Sequence, residues 1–245
     1  VYKCILPNED HEVSEEVEKN FKKSGIKITK GVKVSKIQSM KQNAKVYLEK
    51  KANNEIIKVE KVLLAVGVTG NINNLGLEDL GIETEAGAIK TDNYNRTNIE
   101  NIYAIGDVCG PPWLAHVASA QGLLAAEHSA GLNVNPIDYS NIPGCTYCQP
   151  QVGSLGMTEE QAISSGFKVK VGRFSFQASG KAMATGNTIG FVKLIFDEKY
   201  GELLGAHIVG SEATEMIAEL GMAKALESTW EAVSYTHLTL PTTSF

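Results

Sequence analysis

The chain has 245 residues, and its 23 basic and 28 acidic side chains give a formal net charge of -5. At 43% apolar and 21% charged residues the composition excludes disordered, collagenous and disulfide-scaffold chains, and the length suffices for one large domain or two small ones. No dense Lys/Arg block is present to neutralise phosphates, and the longest apolar run, residues 62–66, is far below the roughly 20 needed to span a bilayer, so neither nucleic acid nor membrane is an expected partner.

Val13, Val17 and Phe21 recur at four-residue steps and predict an amphipathic helix over 11–24, with Asp10 as N-cap and Gly25 as its stop. Short β-rich stretches follow at 26–29, 32–37, 46–49, 56–59 and 62–66, the last apolar throughout as in a strand buried on both faces. Residues 67–100 are loop-rich, with Gly70, Asn71, Asn73 and Asn74 as turn formers, and lead to a second buried strand at 102–105. Val117, Ala120, Leu124 and His128 carry helical spacing over 115–130, closed by Gly131.

Beyond Pro136 the pattern changes to strands at 145–155, 169–176, 189–196 and 203–209, with a hairpin turn at 197–201. Val169, Val171 and Phe174 are expected to face inward, with a slip at Gly172-Arg173. Thr158 and Gln161 form a capping box for a short helix ended by Gly166, and a last helix near 213–227 presents Met216, Ile217, Leu220 and Ala223 on one side. The fold class expected is α/β followed by α+β, with boundaries near residues 68 and 136.

Ile102 to His116 is the most informative string. It delivers Gly106-Asp107 at the carboxyl end of a strand, where open α/β sheets bind ligands, and Gly106 allows close approach to the backbone. Gly110-Pro111-Pro112 stiffens the turn into a helix starting near Ala115, whose first amides are unpaired donors at the positive end of its dipole. Read alone, Asp107 is equally an ordinary turn residue and His116 an ordinary residue of a helix N-terminus. His11, His128 and His207 carry no motif, and Glu215 with Glu219 reads as a solvated helix face rather than a metal pair.

The whole string resembles the second flavin-binding motif of the pyridine nucleotide-disulfide oxidoreductases, and Leu114-Ala115-His116 resembles the branch that oxidises dihydrolipoamide. Residues 5–10 and 63–71 are similar to parts of that family's nucleotide domain. Residues 143–152, Gly156-Met157-Thr158-Glu159 and Leu204-Gly205-Ala206-His207 are similar to its dimerisation domain.

The resemblance implies a partial, Rossmann-like NAD-binding domain over 1–68, a central FAD-contacting segment over 69–136, a dimerisation domain over 137–228 and an atypical tail over 229–245. It implies that Asp107 holds the ribityl chain of FAD, that Trp113, Leu114, Ala115 and His116 line the isoalloxazine largely through backbone, and that Val34 and Gly67 touch NAD. The helix amides would face the N1/O2 edge of the flavin, where reduction places negative charge. Val68-Thr69-Gly70 departs from the Arg-Arg-Pro type of sequence common after that glycine.

The implied activity is oxidation of dihydrolipoamide to lipoamide with reduction of NAD+, by a homodimer that meets the lipoyl domain of a 2-oxo acid dehydrogenase complex. The alternatives are another FAD-dependent disulfide reductase of the glutathione or mercuric type, and a non-catalytic dimerisation and flavin-docking module. No Gly-x-Gly-x-x-Gly and no Cys-x4-Cys pair occurs, so the sequence reads as an internal cut of a longer chain, inactive by itself. His237 is not followed by Pro, and no acid lies beyond Glu231 to orient it, so no catalytic residue is assigned and the end of the chain is expected to be foreign or a read-through. Four scattered cysteines fit a reducing compartment, with cytoplasm as the default, and Cys145-x2-Cys148 lacks the second pair a zinc site needs.

Overall fold

The computed structural model describes residues 4–49 and 54–230. In chain order the first elements are helix α1 (His11–Lys23), strands β1 (Lys33–Ser39), β2 (Ala44–Glu49), β3 (Glu55–Val59), β4 (Thr84–Glu85) and β5 (Ala88–Ile89), and helix α2 (Ala115–Ser129). There follow β6 (Gly144–Thr146), β7 (Gln151–Gly156), α3 (Glu159–Ser164), β8 (Val169–Ser175), α4 (Gly180–Thr185), β9 (Phe191–Asp197), β10 (Leu203–Gly210) and α5 (Ala213–Ala225). They divide into two compact units, one of Val1–Val62 with Ser140–Phe245 and one of Leu63–Tyr139.

The first unit is built on a five-stranded antiparallel sheet in the order β6-β7-β10-β9-β8. One face carries Leu155, Val192, Leu194, Phe196, Ala206 and Ile208, covered by Ile217 and Leu220 of α5, with Met216 and Ala223 packed at the margin. Each of those fully buried helix side chains contributes about 1.5–3 kcal/mol of burial. Gly153 lets α5 approach: a Cβ there would lie 2.5 Å from the Ala213 carbonyl.

The opposite face holds two apolar patches. Val152, Val209 and Phe191 pack under Val13, Val17 and Phe21 of α1. Ile195, Leu204, Val169 and Val171 pack around Ala162 of α3. Between the patches runs one polar row, set by register: Gly144 faces Ser154, Ser154 faces His207, His207 faces Lys193 and Lys193 faces Arg173. The N-termini of α1 and α3 meet above this row, because the Asp10 carboxylate accepts from the Glu12 amide at 3.1 Å and the Glu159 amide at 3.4 Å.

Strands β1-β2-β3 form a separate antiparallel ribbon in the same unit. The expected α1, the capping box of Thr158 and Gln161, the β9-β10 hairpin and α5 are all present. Several expectations need correction. Residues 145–155 form two strands rather than one, because Pro150 lacks the amide a ladder needs. The β8-β9 ladder is continuous, without a slip at Gly172-Arg173; Arg173 stays on the face of Val171, and Phe174 points to the other side.

Residues 26–29 and 62–66 form no strand, and of 102–105 only Tyr103 makes a bridge, to Arg96. A parallel strand buried on both faces needs a hydrogen-bonded neighbour on each edge. Among the described residues none flanks 62–66, and Leu63 and Val66 are each 92% exposed. The end of the chain from 231 onward, including His237, lies outside the described residues, and no described helix is long and apolar enough to cross a membrane.

The second unit has a small core of Leu77, Ile82, Ile89 and Ala104, with Ile72, Ile99, Ile102 and Val108 against it. Above that core lie a single 3-10 turn, Gly106–Cys109, and helix α2. Val117, Gln121, Leu124 and Ala125 are the buried positions of α2; Ala120 is exposed.

Candidate flavin-edge site

The turn Gly106–Cys109 presents Asp107 outward because its backbone is fixed from within. Gly106 has φ 74°, a left-handed conformation that disfavours side chains, and its amide donates to Gln121 Oε1 at 2.7 Å. Gln121 is buried and in turn donates from Nε2 to the Tyr139 hydroxyl at 2.9 Å. The Asp107 carbonyl accepts from the Gly110 amide at 3.2 Å and from Trp113 Nε1 at 3.3 Å. The Asp107 carboxylate is exposed, and among the described residues it takes no hydrogen bond or ion pair.

Gly70 closes the other side of the turn. A Cβ there would lie 3.2 Å from the Asp107 carbonyl oxygen, the Gly87 carbonyl oxygen and the Val108 Cα, so the loop after Gly67 sits directly on the Asp107 backbone. Gly67 itself has φ 116°, and a Cβ would meet nothing within 4 Å among the described residues. Its glycine answers to backbone conformation, with open space in front of it.

Trp113, 40% exposed, leads into α2. Leu114 is the N-cap, in extended conformation with no side-chain cap, and no acid lies in the first turn. The leading amides of this 15-residue helix therefore keep their donors for an outside acceptor, at the positive end of the helix dipole. Ala115 and His116 are exposed at that end. The structure thus brings together Gly106, Asp107, Trp113, Leu114, Ala115 and His116. Val34 belongs to the other unit, on β1, whose residues are all exposed.

The remaining titratable groups have other surroundings. Burial pushes the Cys109 thiol up to about 11 and also raises Cys145 and Cys148. Cys145 and Cys148 donate to the carbonyls of Thr214 and Pro150 at 3.8 and 3.0 Å, so they are satisfied thiols, free of any disulfide. Among the described residues no cluster could hold a metal. His128 stacks on Tyr94 with centroids 4.6 Å apart and bonds the Tyr103 hydroxyl at 2.8 Å.

The sequence reading missed Gln121, whose only available signal was a polar residue on the apolar side of α2. It also missed a buried ion cluster. Lys193, 2% exposed, bonds Asp10 at 2.9 and 3.0 Å, Glu12 at 2.7 Å and Glu159 at 2.7 Å. Arg173 adds a bidentate contact to Glu12 and a 2.9 Å bond to Glu159. The Arg173 guanidinium, then Lys193, holds the Glu12 carboxyl down to about 2 against the opposing effect of burial. Burial alone lowers Lys193, but bonds from Glu12, Glu159 and Asp10 outweigh it and the ammonium titrates above its usual range.

Residues 2–122 match the pyridine nucleotide-disulphide oxidoreductase family, and residues 142–245 match the dimerisation domain of the same family. The chain belongs to the pyridine nucleotide-disulphide oxidoreductases, and it carries their dimerisation domain. Its relatives include the dihydrolipoyl dehydrogenase of Rhizobium etli, 47% identical over all of this chain and 51% of the relative. That of Bacillus subtilis is 42% identical over 95% of this chain and 50% of the relative.

The HOCl-induced flavoprotein disulfide reductase RclA of Escherichia coli, as its Cu(II) complex, superposes with a TM-score of 0.87 at 25% identity, over 98% of this chain and 54% of that one. LpdA of Mycobacterium tuberculosis shares the fold, with a TM-score of 0.85 at 24% identity over 94% of this chain and 50% of that one. The chain spans about half the length of the curated relatives it matches.

Proposed function

We propose that this chain is the C-terminal part of a dihydrolipoyl dehydrogenase, the enzyme that oxidises dihydrolipoamide to lipoamide and reduces NAD+ to NADH. In this reading residues 1–68 belong to the NAD-binding domain, 69–136 to the FAD-contacting segment and 137–228 to the dimerisation domain. The protein acts as a homodimer on the lipoyl domain of a 2-oxo acid dehydrogenase complex, in the cytoplasm.

The observation that carries the reading is the pairing of the exposed, unpartnered Asp107 carboxylate with the uncapped N-terminus of α2, reached through Trp113. These residues fit FAD. Asp107 would accept hydrogen bonds from the ribityl hydroxyls, Gly106 would let the chain pass close to the backbone, and Trp113, Leu114, Ala115 and His116 would border the ring. The α2 amides would be donors to the N1/O2 edge and would stabilise negative charge there. Bound flavin supplies the two-electron chemistry between dithiol and nicotinamide. Val34 and Gly67 contact NAD, the latter because its missing side chain leaves room for the dinucleotide.

The test is flavin content and turnover of the protein that contains this chain. Yellow protein with NAD-linked dihydrolipoamide oxidation, and loss of bound flavin in Asp107→Ala, supports the reading. Flavin retention in Asp107→Ala with unchanged turnover, or turnover of glutathione disulfide in place of dihydrolipoamide, overturns it.

A further inference from the structure

Two helices and three strands converge on the Lys193 ammonium. Its partners come from the start of α1 (Asp10 and Glu12) and the start of α3 (Glu159), while Lys193 itself stands on β9, between β10 and the edge strand β8. Asp10 is 3% exposed and Lys193 is 2% exposed, so the bond between them is shielded from solvent and from salt. Surface ion pairs add little, but removing one partner of a buried pair leaves an uncompensated charge and is strongly destabilising.

The lysine also faces a second cation of its own row, Arg173 directly opposite on β8, while on β10 it faces His207, whose ring burial favours the neutral form. Like charges facing each other across a ladder are unfavourable unless carboxylates are inserted between them. The carboxylates that do this are mostly on α1. The helix is thus required by the sheet's own charge pattern, in addition to the apolar contact of Val13 and Val17.

From α1 the coupling continues along the chain. Glu18, buried on the same helix, bonds Lys30 at 2.6 Å, and Lys30 precedes β1, which begins at Lys33 and carries Val34. We propose that Lys193 is a positioning residue for the pyridine nucleotide: it pins α1 to the five-stranded sheet, and through Glu18 and Lys30 it sets where the β1-β2-β3 ribbon is presented. This rests on the assignment of residues 1–68 to the NAD-binding domain and 137–228 to the dimerisation domain. It makes nucleotide placement dependent on the dimerisation module, through a side chain that touches neither cofactor.

Two variants separate the pin from general packing. Lys193→Met keeps the length of the side chain and removes its charge. Asp10→Asn keeps the helix cap, since Asn caps as well as Asp, and removes the charge that Lys193 meets together with the second acceptor oxygen, which serves the Glu159 amide. In the 245-residue chain, hydrogen exchange of α1 amides should quicken in both variants while that of α5 amides stays unchanged. In the FAD-loaded protein, KM for NAD should rise about tenfold while flavin reduction by dihydrolipoamide stays within about twofold, and Lys193→Arg should restore most of the loss.

Unchanged α1 exchange, equal acceleration in α1 and α5, or an unchanged KM for NAD overturns the proposal. Wild-type protein without NAD-linked dihydrolipoamide oxidation defeats the functional assignment instead, and the exchange measurement then decides the pin by itself.

Discussion

The indole of Trp113 is tied to Asp107 through the backbone: Nε1 donates to the Asp107 carbonyl at 3.3 Å. The ring and the carboxylate are therefore held by one turn, and a change in either displaces the other. Trp113→Phe keeps an aromatic surface and removes the bond, leaving the Gly110 amide as the remaining donor to that carbonyl. The loss in stability should be about 0.5–1.5 kcal/mol, with weaker flavin binding in a fluorescence titration. Unaltered flavin affinity would detach Trp113 from the site.

Gly70→Ala tests the contact on the other side of the turn. Its Cβ would meet three backbone atoms at 3.2 Å, none of which can rotate away. The loop or the Asp107 turn must shift, with an expected cost of about 1–3 kcal/mol in the unit of Leu63–Tyr139. Gly70 does not have a positive φ, so thermal unfolding compared with Gly166→Ala, where a Cβ meets nothing within 4 Å but φ is 89°, separates crowding from backbone strain.

Acid stability should report on Glu12. Its carboxyl titrates near 2 in the folded chain against an ordinary 4.5, so the native state holds the ionised form more tightly than the unfolded state does. The resulting stability is fully present above about pH 4.5 and is lost as pH falls toward 2. The side chain is 37% exposed, and solvent screening reduces the effect below what the shift alone implies. Glu12→Gln should flatten this part of the denaturation profile and lower stability at pH 7; an unchanged slope between pH 5 and 2 would assign the acid sensitivity elsewhere.

Leu63, Leu64, Val66 and Val68 are 92, 66, 92 and 62% exposed, a run of apolar side chains without a neighbouring strand among the described residues. The 245-residue chain should bind an apolar fluorescent dye, and Leu63→Lys with Val66→Lys should remove most of the signal. Equal dye binding by wild type and the double variant would place the sticky surface somewhere else.

What the sequence made legible was local. The four-residue spacing of Val13, Val17 and Phe21, the Asp10 cap and the Thr158/Gln161 box each act within one or two turns of chain, and each is found in the structure. What it hid was non-local or too short. Residues 62–66 have the composition of an interior strand, but a strand exists only with partners beside it. The β4-β5 hairpin has two residues per strand, too few for alternation to register. Helix α4 is six residues long and opens on a glycine, which carries little helical preference.

The site divides in the same way. Gly106, Asp107 and the run from Trp113 to His116 are contiguous enough to read from the string, whereas Gln121 supports Gly106 from 15 residues away and Asp10 meets Lys193 across 183. A lysine in a strand otherwise filled by Phe191, Val192, Leu194, Ile195 and Phe196 was a visible anomaly, but no local rule names its partners.

The polar row across β6, β7, β10, β9 and β8 also determines which misfolded forms the sheet avoids. Side chains alternate faces along a strand, so sliding β9 or β8 by a single residue would turn Lys193 or Arg173 toward the apolar layer under α5. A bare ammonium there would be penalised by several kcal/mol, while the carboxylates of Asp10 and Glu12 would be stranded on the far side. A sheet of valines and isoleucines alone would tolerate such frame errors at little cost. Here two charged side chains make a slipped β8-β9 pairing self-defeating, and the correct frame of that pair is favoured before any partner or cofactor arrives.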